Sequence, residues 1–151
     1  MYEIRRANKR DIFHIIAVLH AAHKQNKRRG FYFPASTISS QRLQYLMKQH
    51  RYFVLQANKV IIGVVAIKKR KKFWEIGSLA VIPRYQKSGW GGKLLRFAET
   101  RLKQQGIYSA FLTTQTLHPV LPRYYYSKGY RRVKQFTVKH TKWTIFRKSL
   151  H

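Results

Sequence analysis

The chain has no cysteine and, among 151 residues, very few carboxylates. Without cysteine there can be no disulfide, no thiolate metal ligand and no cysteine nucleophile, a pattern typical of a reducing, cytoplasmic setting. The acidic residues are Glu3, Asp11, Glu75 and Glu99. Ser/His/Asp catalysis therefore lacks a suitable aspartate. His20 and His23 are helical neighbours, but no nearby carboxylate completes a metal site, so we predict no metal.

Long apolar runs are also missing, and no stretch approaches the roughly 18 residues of a membrane span. The N-terminal region imitates a signal peptide, with basic residues, then an apolar stretch, then small residues. His14 and His20 interrupt that stretch, and its apolar residues recur at helical spacing. We therefore predict an amphipathic core helix from Asp11 to about His23 instead.

Positive charge is abundant: 32 Lys and Arg residues give a formal net charge of +28, spread along the whole chain. Such a surface attracts polyanions, which predicts contact with nucleic acid, the ribosome or an anionic membrane surface. A generally basic proteome or an altered surface explains the charge equally well. The chain is also 44% hydrophobic and 15% aromatic, enough for a core, and its length predicts one domain over residues 1–151.

Hydrophobic periodicity predicts seven strands and four helices in the order β-α-α-β-β-β-α-β-α-β-β. The predicted strands are Tyr2–Ala7, Tyr52–Gln56, Val60–Ile67, Phe73–Ile82, Ile107–Thr114, Gly129–Val138 and Lys142–Lys148. Besides the first helix, helices are predicted over Gln41–Gln49, from the glycines after residue 88 to Gly106, and over Leu117–Lys128. Gln25–Ser40 is expected to be a loop and Lys68–Lys72 a solvated hairpin tip. A strand–helix–strand unit within hairpins implies a mixed sheet of the α/β class.

Three glycines, Gly89, Gly91 and Gly92, stand between a predicted strand and a predicted helix in the stretch RYQKSGWGGKLL. Leu94 breaks both the Walker motif and the dinucleotide fingerprint. Glycines before a helix still let the backbone approach a bulky anion, and the first N–H groups of the helix point at it. With Lys87 and Lys93 as countercharges, the stretch predicts a pyrophosphate cradle. The alternative is a tight strand–helix turn.

The chain resembles the GNAT superfamily of acetyl-CoA-dependent N-acetyltransferases over residues 2 to 148. The family hallmark, [QR]-x-x-G-x-[GA], matches residues 86–91, and the preceding SLAVIPRYQ resembles its usual lead-in. A second signature, close to F-Y-x-x-x-G-F, matches residues 124–130. The opening residues 4–15 are similar to the first strand and helix of the family. The resemblance implies a GNAT-like fold, with a mixed sheet of six to seven strands and about four helices.

The resemblance also implies acetyl-CoA as co-substrate. The expected pyrophosphate contacts are Gln86, Lys87, Ser88, Gly89, Trp90, Gly91 and Gly92. The pantetheine is expected along Leu79, Ala80 and Val81, with the Val81 N–H facing the thioester oxygen. His118 stands where relatives often have an asparagine that contacts the coenzyme, and we include it among the cofactor-binding residues.

The implied activity is transfer of an acetyl group from acetyl-CoA to a primary amine by direct attack in a ternary complex. Tyr125 matches the tyrosine of the family that protonates the leaving thiolate, although an aromatic packing residue in a tyrosine-rich helix is the alternative. Glu75 matches the position of a general base in protein-lysine acetyltransferases, although a structural anion paired with nearby cations is the alternative. The basic surface predicts an acceptor other than a polyamine or a lysine-rich tail.

The competing hypothesis is a catalytically weak GNAT-like module that binds nucleic acid or the ribosome through its charge. This alternative predicts a steep salt dependence and no turnover. The resemblance also implies a homodimer, since the closing strands of this family often mediate dimers.

Overall fold

The computed structural model describes residues 1–151, and its elements follow the predicted order. The strands are β1 Tyr2–Arg6, β2 Arg51–Ala57, β3 Val60–Lys69, β4 Trp74–Val81, β5 Ser109–Gln115, β6 Arg131–Val138 and β7 Thr141–Ser149. The helices are α1 Ile12–Arg28, α2 Ser40–Gln49, α3 Trp90–Gln104 and α4 Leu121–Ser127. Short 3-10 turns cover Lys9–Asp11, Pro34–Thr37 and Pro83–Tyr85.

The strands form one mixed sheet in the order β1-β2-β3-β4-β5-β7-β6. Every neighbouring pair is antiparallel except β4 and β5, which run parallel on either side of the α3 crossover. The predicted mixed sheet and the four helices are therefore confirmed. No helix is long and apolar enough to cross a membrane.

The sheet separates two hydrophobic layers. On one face α1 and α2 contribute Ile15, Leu19 and Leu43 to a cluster with Tyr52 and Val64. On the other face α3 packs with Phe53, Ile62 and Tyr130, and α4 packs against the same layer. A Cβ on Gly63 would lie 2.8 Å from Leu94 Cδ1, so this glycine permits the close approach of α3 to the sheet. We call the two sides the α1/α2 face and the α3/α4 face.

Two predicted boundaries are wrong. The first helix continues past His23 to Arg28 because no breaker occurs before Gly30, so Gln25–Ser40 is only partly a loop and also contains a 3-10 turn. The last helix begins at Leu121 instead of Leu117. Pro119 and Pro122 account for this delay, since proline is tolerated only in the first turn of a helix.

The two halves of the sheet separate between β4 and β5. These strands share one register pair, Glu75 with Phe111, and none closer to their C-terminal ends. On its other edge β4 carries a bulge. Ala66 of β3 pairs with Gly77 and Val64 pairs with Ala80, so β4 has one more residue than β3 between these pairs. Ser78 lies within this bulge with a φ of +50°. A bulge bends its strand and disrupts local pairing, which accounts for an open cleft between β4 and β5.

Two buried carboxylates, Glu99 and Asp11, pair with cations on strands of this sheet. Glu99 of α3 accepts a hydrogen bond of 2.8 Å from the Tyr130 hydroxyl and one of 3.1 Å from Lys148 Nζ of β7. Asp11 accepts two hydrogen bonds from the Arg5 guanidinium, at 2.8 and 2.9 Å. Removal of either partner would destabilise the fold, because it would leave the other charge buried without a counter-ion.

Candidate active site

The segment between β4 and α3 is shaped by its backbone. Gly89 occupies the N-cap position of α3 with a φ of +85°, and Lys87 has a φ of +65°. A left-handed conformation is natural for glycine and costly for most other residues, which explains the glycine at this turn. The Gln86 side chain donates a 2.8 Å hydrogen bond to the Val81 carbonyl, fixing the loop to the end of β4.

The same loop presents a row of free donors. The backbone N–H groups from Lys87 to Gly92 donate to no acceptor within the chain, and the first N–H of the helix to do so is that of Lys93, which bonds Gly89 O at 3.1 Å. A Cβ added to Gly89 would meet nothing within 4 Å, and one on Gly91 would lie 3.5 Å from the Tyr124 hydroxyl. Packing therefore leaves room for a bulky anion at this helix N-terminus.

Cationic and aromatic side chains surround this cradle of residues 87–92. Lys128 Nζ would lie 3.5 Å from a Cβ on Gly92, and it also lies over the Tyr124 ring. Lys93 lies over the Trp90 ring, which packs edge-on against Tyr2 at 5.0 Å. The indole of Trp90 thus fastens the start of α3 to β1, while the lysines supply countercharge for an anion.

Tyr125 of α4 lies next to Tyr124, which touches the cradle. Its ring packs with Tyr130 and Phe146 at centroid distances of 6.2 and 6.5 Å, and its hydroxyl makes no hydrogen bond within the chain. Burial, with Tyr124 nearby, raises the pKa of Tyr125 above its ordinary value. A phenol with a raised pKa stays protonated at neutral pH, so Tyr125 can donate a proton or hydrogen bond there and does not act as a phenolate base.

Glu75 lies on the α1/α2 face of β4, at the last register pair before the cleft. Its Oε1 accepts a 2.8 Å hydrogen bond from Arg70 Nε, and the carboxylate side chain is 13% exposed. The ion pair leaves Oε2 without a partner. The structure thus contains the cation pairing of the structural-anion hypothesis and also a carboxylate oxygen able to accept a proton.

Comparisons with known proteins agree with this geometry. A family model described as "Acetyltransferase (GNAT) family" matches residues 19–130. The chain belongs to the GNAT acetyltransferase family. No curated protein matches this GNAT chain.

Several solved structures share the fold of this GNAT acetyltransferase. The PaiA N-acetyltransferase of Thermoplasma acidophilum, in complex with coenzyme A, is 21% identical with a TM-score of 0.83 over 99% of both chains. The ribosomal-protein-S18-alanine N-acetyltransferase of Escherichia coli is 17% identical with a TM-score of 0.80, over 99% of this chain and 94% of that one. YncA of Salmonella typhimurium, solved with acetyl-CoA, is 19% identical with a TM-score of 0.78, over 100% and 95%.

His118 has a structural role in this GNAT chain that its sequence position did not indicate. Its Nδ1 accepts hydrogen bonds from the N–H groups of Val120 and Leu121, both at 3.1 Å, so the ring caps α4. The protonated Nε2 therefore donates to Asn26 Oδ1 at 2.7 Å. Both ring nitrogens are engaged within the chain, and contact of His118 with coenzyme A stays a prediction.

The hydrogen-bond chain continues into α1. Asn26 Nδ2 donates to His23 Nδ1 at 3.0 Å. Burial lowers the pKa of His23 to about 4, with His118 adding to the effect, and burial also lowers the pKa of His118. Neutral rings thus link the helix that carries Tyr125 to α1 across 92 positions of sequence.

Three further residues near the cleft, Ser78, Arg70 and Lys68, could not be identified from local sequence patterns. The bulge at Ser78, the Arg70 partner of Glu75 and the inward side chain of Lys68 all depend on pairing between β3 and β4. Lys68 was expected in a solvated hairpin tip, and this is wrong, because its side chain is half-buried over Gly77. Only the alternation of β3 could have predicted the inward side chain of Lys68, since Val64, Ala66 and Lys68 occupy every second position and therefore lie on one face.

Proposed function

We propose that the chain transfers an acetyl group from acetyl-CoA to the primary amine of a small molecule or protein, by direct attack in a ternary complex. The observation that carries the proposal is the row of free backbone N–H groups at residues 87–92, which begins where the open edge of β4 ends. A pyrophosphate on the cradle would direct the rest of the coenzyme into the cleft beside Tyr125.

The residues present fit the coenzyme in three ways. Free N–H groups and the α3 dipole suit its pyrophosphate, and Lys87, Lys93 and Lys128 add countercharge. The unpaired edge of β4 suits the amides of the pantetheine, which can bind as an added strand along Leu79–Val81. The Val81 N–H is our candidate donor to the thioester oxygen, where fixed donors stabilise developing negative charge.

Glu75 is our candidate general base. An alkyl amine has a pKa of about 10.4 and is protonated at neutral pH, so it must lose a proton before it attacks. Arg70 holds one carboxylate oxygen of Glu75, and the free Oε2 can take that proton directly or through water. The amine nitrogen then bonds to the carbonyl carbon as the carbon–sulfur bond breaks. The second proton that the nitrogen must lose to become an amide passes to solvent.

Tyr125 is our candidate donor to the leaving sulfur. A thiol has an ordinary pKa of about 8.5, and burial places the pKa of Tyr125 above the ordinary value of 10.0. Complete transfer of the phenolic proton is therefore uphill. A hydrogen bond from Tyr125 that strengthens as charge grows on sulfur avoids this cost, and the thiolate can take its final proton after release.

Calorimetry with acetyl-CoA tests the proposal. We expect micromolar affinity that is lost when Gly89→Glu and Gly91→Glu are combined, because added carboxylates fill the cradle and repel phosphate. Gly106→Glu is the matched control: Gly106 also has a positive φ, of +78°, but follows the other end of α3. Free ATP serves as the anion control.

The same experiment separates the enzyme from the binding module. If every anion binds weakly and equally, with no effect of the loop variants, the glycines form only a turn and the chain is a polycation with an acetyltransferase fold. If acetyl-CoA binds selectively, an amine screen follows. The highest rate for spermidine in that screen would contradict the expected exclusion of polyamines.

A further inference from the structure

A cluster of ionisable side chains lies on the α1/α2 face of the cleft, opposite the cradle. It consists of Lys68 and Arg70 from the β3–β4 hairpin, Glu75 of β4, and Arg42 of α2 near them. Three cations therefore face one carboxylate, and Arg70 already occupies one oxygen of that carboxylate. The excess charge at this point is positive.

Lys68 is the half-buried cation of this cluster that lacks a carboxylate partner; Arg42, which also has none, is exposed and lies over the Tyr45 ring. Its Nζ makes no hydrogen bond or ion pair within the chain, although Lys68 and Glu75 are cross-strand register partners. The two side chains diverge: that of Glu75 turns to Arg70, and that of Lys68 extends over Gly77, with Nζ 3.2 Å from where a Cβ on Gly77 would lie. The missing side chain at Gly77 makes space for the lysine.

This position places the Lys68 ammonium at the closed end of the cleft, where β4 and β5 begin to separate. Gly77 is two residues beyond Glu75, where the pairing of β4 and β5 stops. Burial lowers the pKa of Lys68; Glu75 opposes this effect, and Arg70 and Arg42 add to it. A half-buried cation without a counter-ion is costly, and an anion bound beside it offsets that cost.

We propose that Lys68 binds an anionic group of the acceptor, so that the acceptor is a small amine carrying a carboxylate close to the reacting nitrogen. The inference rests on the proposed function. Glu75 would face the amine and Lys68 the carboxylate of one molecule, because these side chains lie on the same face of adjacent strands. Lys68 thereby determines specificity, and no proton or electron passes through it.

The test compares amines with a carboxylate close to the nitrogen and the same amines with a neutral amide in its place: phenylalanine with phenylalaninamide, glutamate with isoglutamine, and β-alanine with β-alaninamide. Release of the coenzyme A thiol is followed for the wild type and for Lys68→Met, which keeps the length of the side chain and removes its charge. Lys69→Met is the matched control, since Lys69 is the next residue on β3, is exposed and lies over Trp74. Acetyl-CoA affinity is measured for all three proteins.

We expect the wild type to prefer the carboxylate member of at least one pair, mainly through KM. Lys68→Met should reduce kcat/KM for that member by about 10- to 100-fold, the effect of losing one charge-assisted hydrogen bond, and leave its amide unchanged. Lys69→Met should match the wild type.

Failure of the proposed function and failure of this inference give different results. Absence of acetyl-CoA binding in the wild type would overturn the proposed function and this inference with it. If acetyl-CoA binds but both members of every pair react equally, or none reacts, the carboxylate subsite is refuted and the coenzyme site stands. An equal loss for carboxylate and amide in Lys68→Met would also overturn the inference, because it would reveal a structural role.

Discussion

The two faces of the β4–β5 cleft present different kinds of chemical group. On the α3/α4 face the cradle consists of backbone N–H groups, and its shape follows from glycine at a left-handed position. On the α1/α2 face the site consists of side chains, Lys68, Arg70 and Glu75, placed by strand register. Backbone donors suit the coenzyme pyrophosphate, which is the same for every acceptor. Side chains can be substituted, and so can suit different acceptors.

Tyr125→Phe should give the largest effect, because the α3/α4 face would keep its binding groups and lose its donor to sulfur. Turnover should fall by about 10²- to 10³-fold with an unchanged dissociation constant for acetyl-CoA. Steady-state kinetics and calorimetry measure the two quantities. Tyr126→Phe, one position further on the same helix and exposed, is the matched control. Loss of coenzyme affinity in Tyr125→Phe would instead indicate that Tyr125 contributes to binding.

Glu75→Gln tests the opposite face and should give a somewhat smaller effect, about 10²-fold in turnover at neutral pH. Because the amine must then lose its proton to solvent, activity of this variant should rise with pH toward the amine pKa near 10.4. Arg70→Met is the comparison variant, since it removes the partner and keeps the carboxylate. If Glu75 is only a structural anion, both variants should lose the same amount of activity and thermal stability, and the pH profile of the rate should not change. Steady-state rates and thermal unfolding measure these quantities.

The histidines that join α1 to α4 should make stability depend on pH. His23 has a pKa of about 4 when folded and an ordinary value of 6.5, so the unfolded chain binds more protons between these values. The free energy of unfolding should therefore fall as pH is lowered from 6.5 to 4, by at most about 3 kcal/mol for this residue. Burial also lowers the pKa values of His118 and His50, which act in the same direction.

Urea unfolding at pH 7, 5.5 and 4.5 measures this dependence. His23→Gln should flatten part of the slope, and His14→Gln, at an exposed position on the same helix, should leave it as in the wild type. The same slope in all three proteins would show that His23 does not contribute to the loss at low pH.

The contrast between the two faces also explains what the sequence could predict. The order of strands and helices along the chain and the glycine turn before α3 were accessible because periodicity and glycine positions are local signals. The partner of Glu75 and the direction of Lys68 were not, because they depend on the β3–β4 register and its bulge at Ser78. The hydrogen bond from His118 to Asn26 was hidden as well, since Asn26 lies in a segment that was expected to be a loop.

The sheet consists of two groups of strands, which we call leaves, that share a single backbone register pair. Strands β1–β4 form one leaf and β5–β7 the other, and their shared backbone pairing is confined to Glu75 and Phe111. Side chains tie the leaves together elsewhere: Glu99 to Lys148, Asn26 to His118, and Gln115 to the Tyr32 carbonyl. The width of the opening is thus set by these side-chain contacts and by the shared hydrophobic layer of the α3/α4 face instead of a hydrogen-bonded ladder. We expect the length of acyl chain that enters to be tuned by residues far from the reacting atoms.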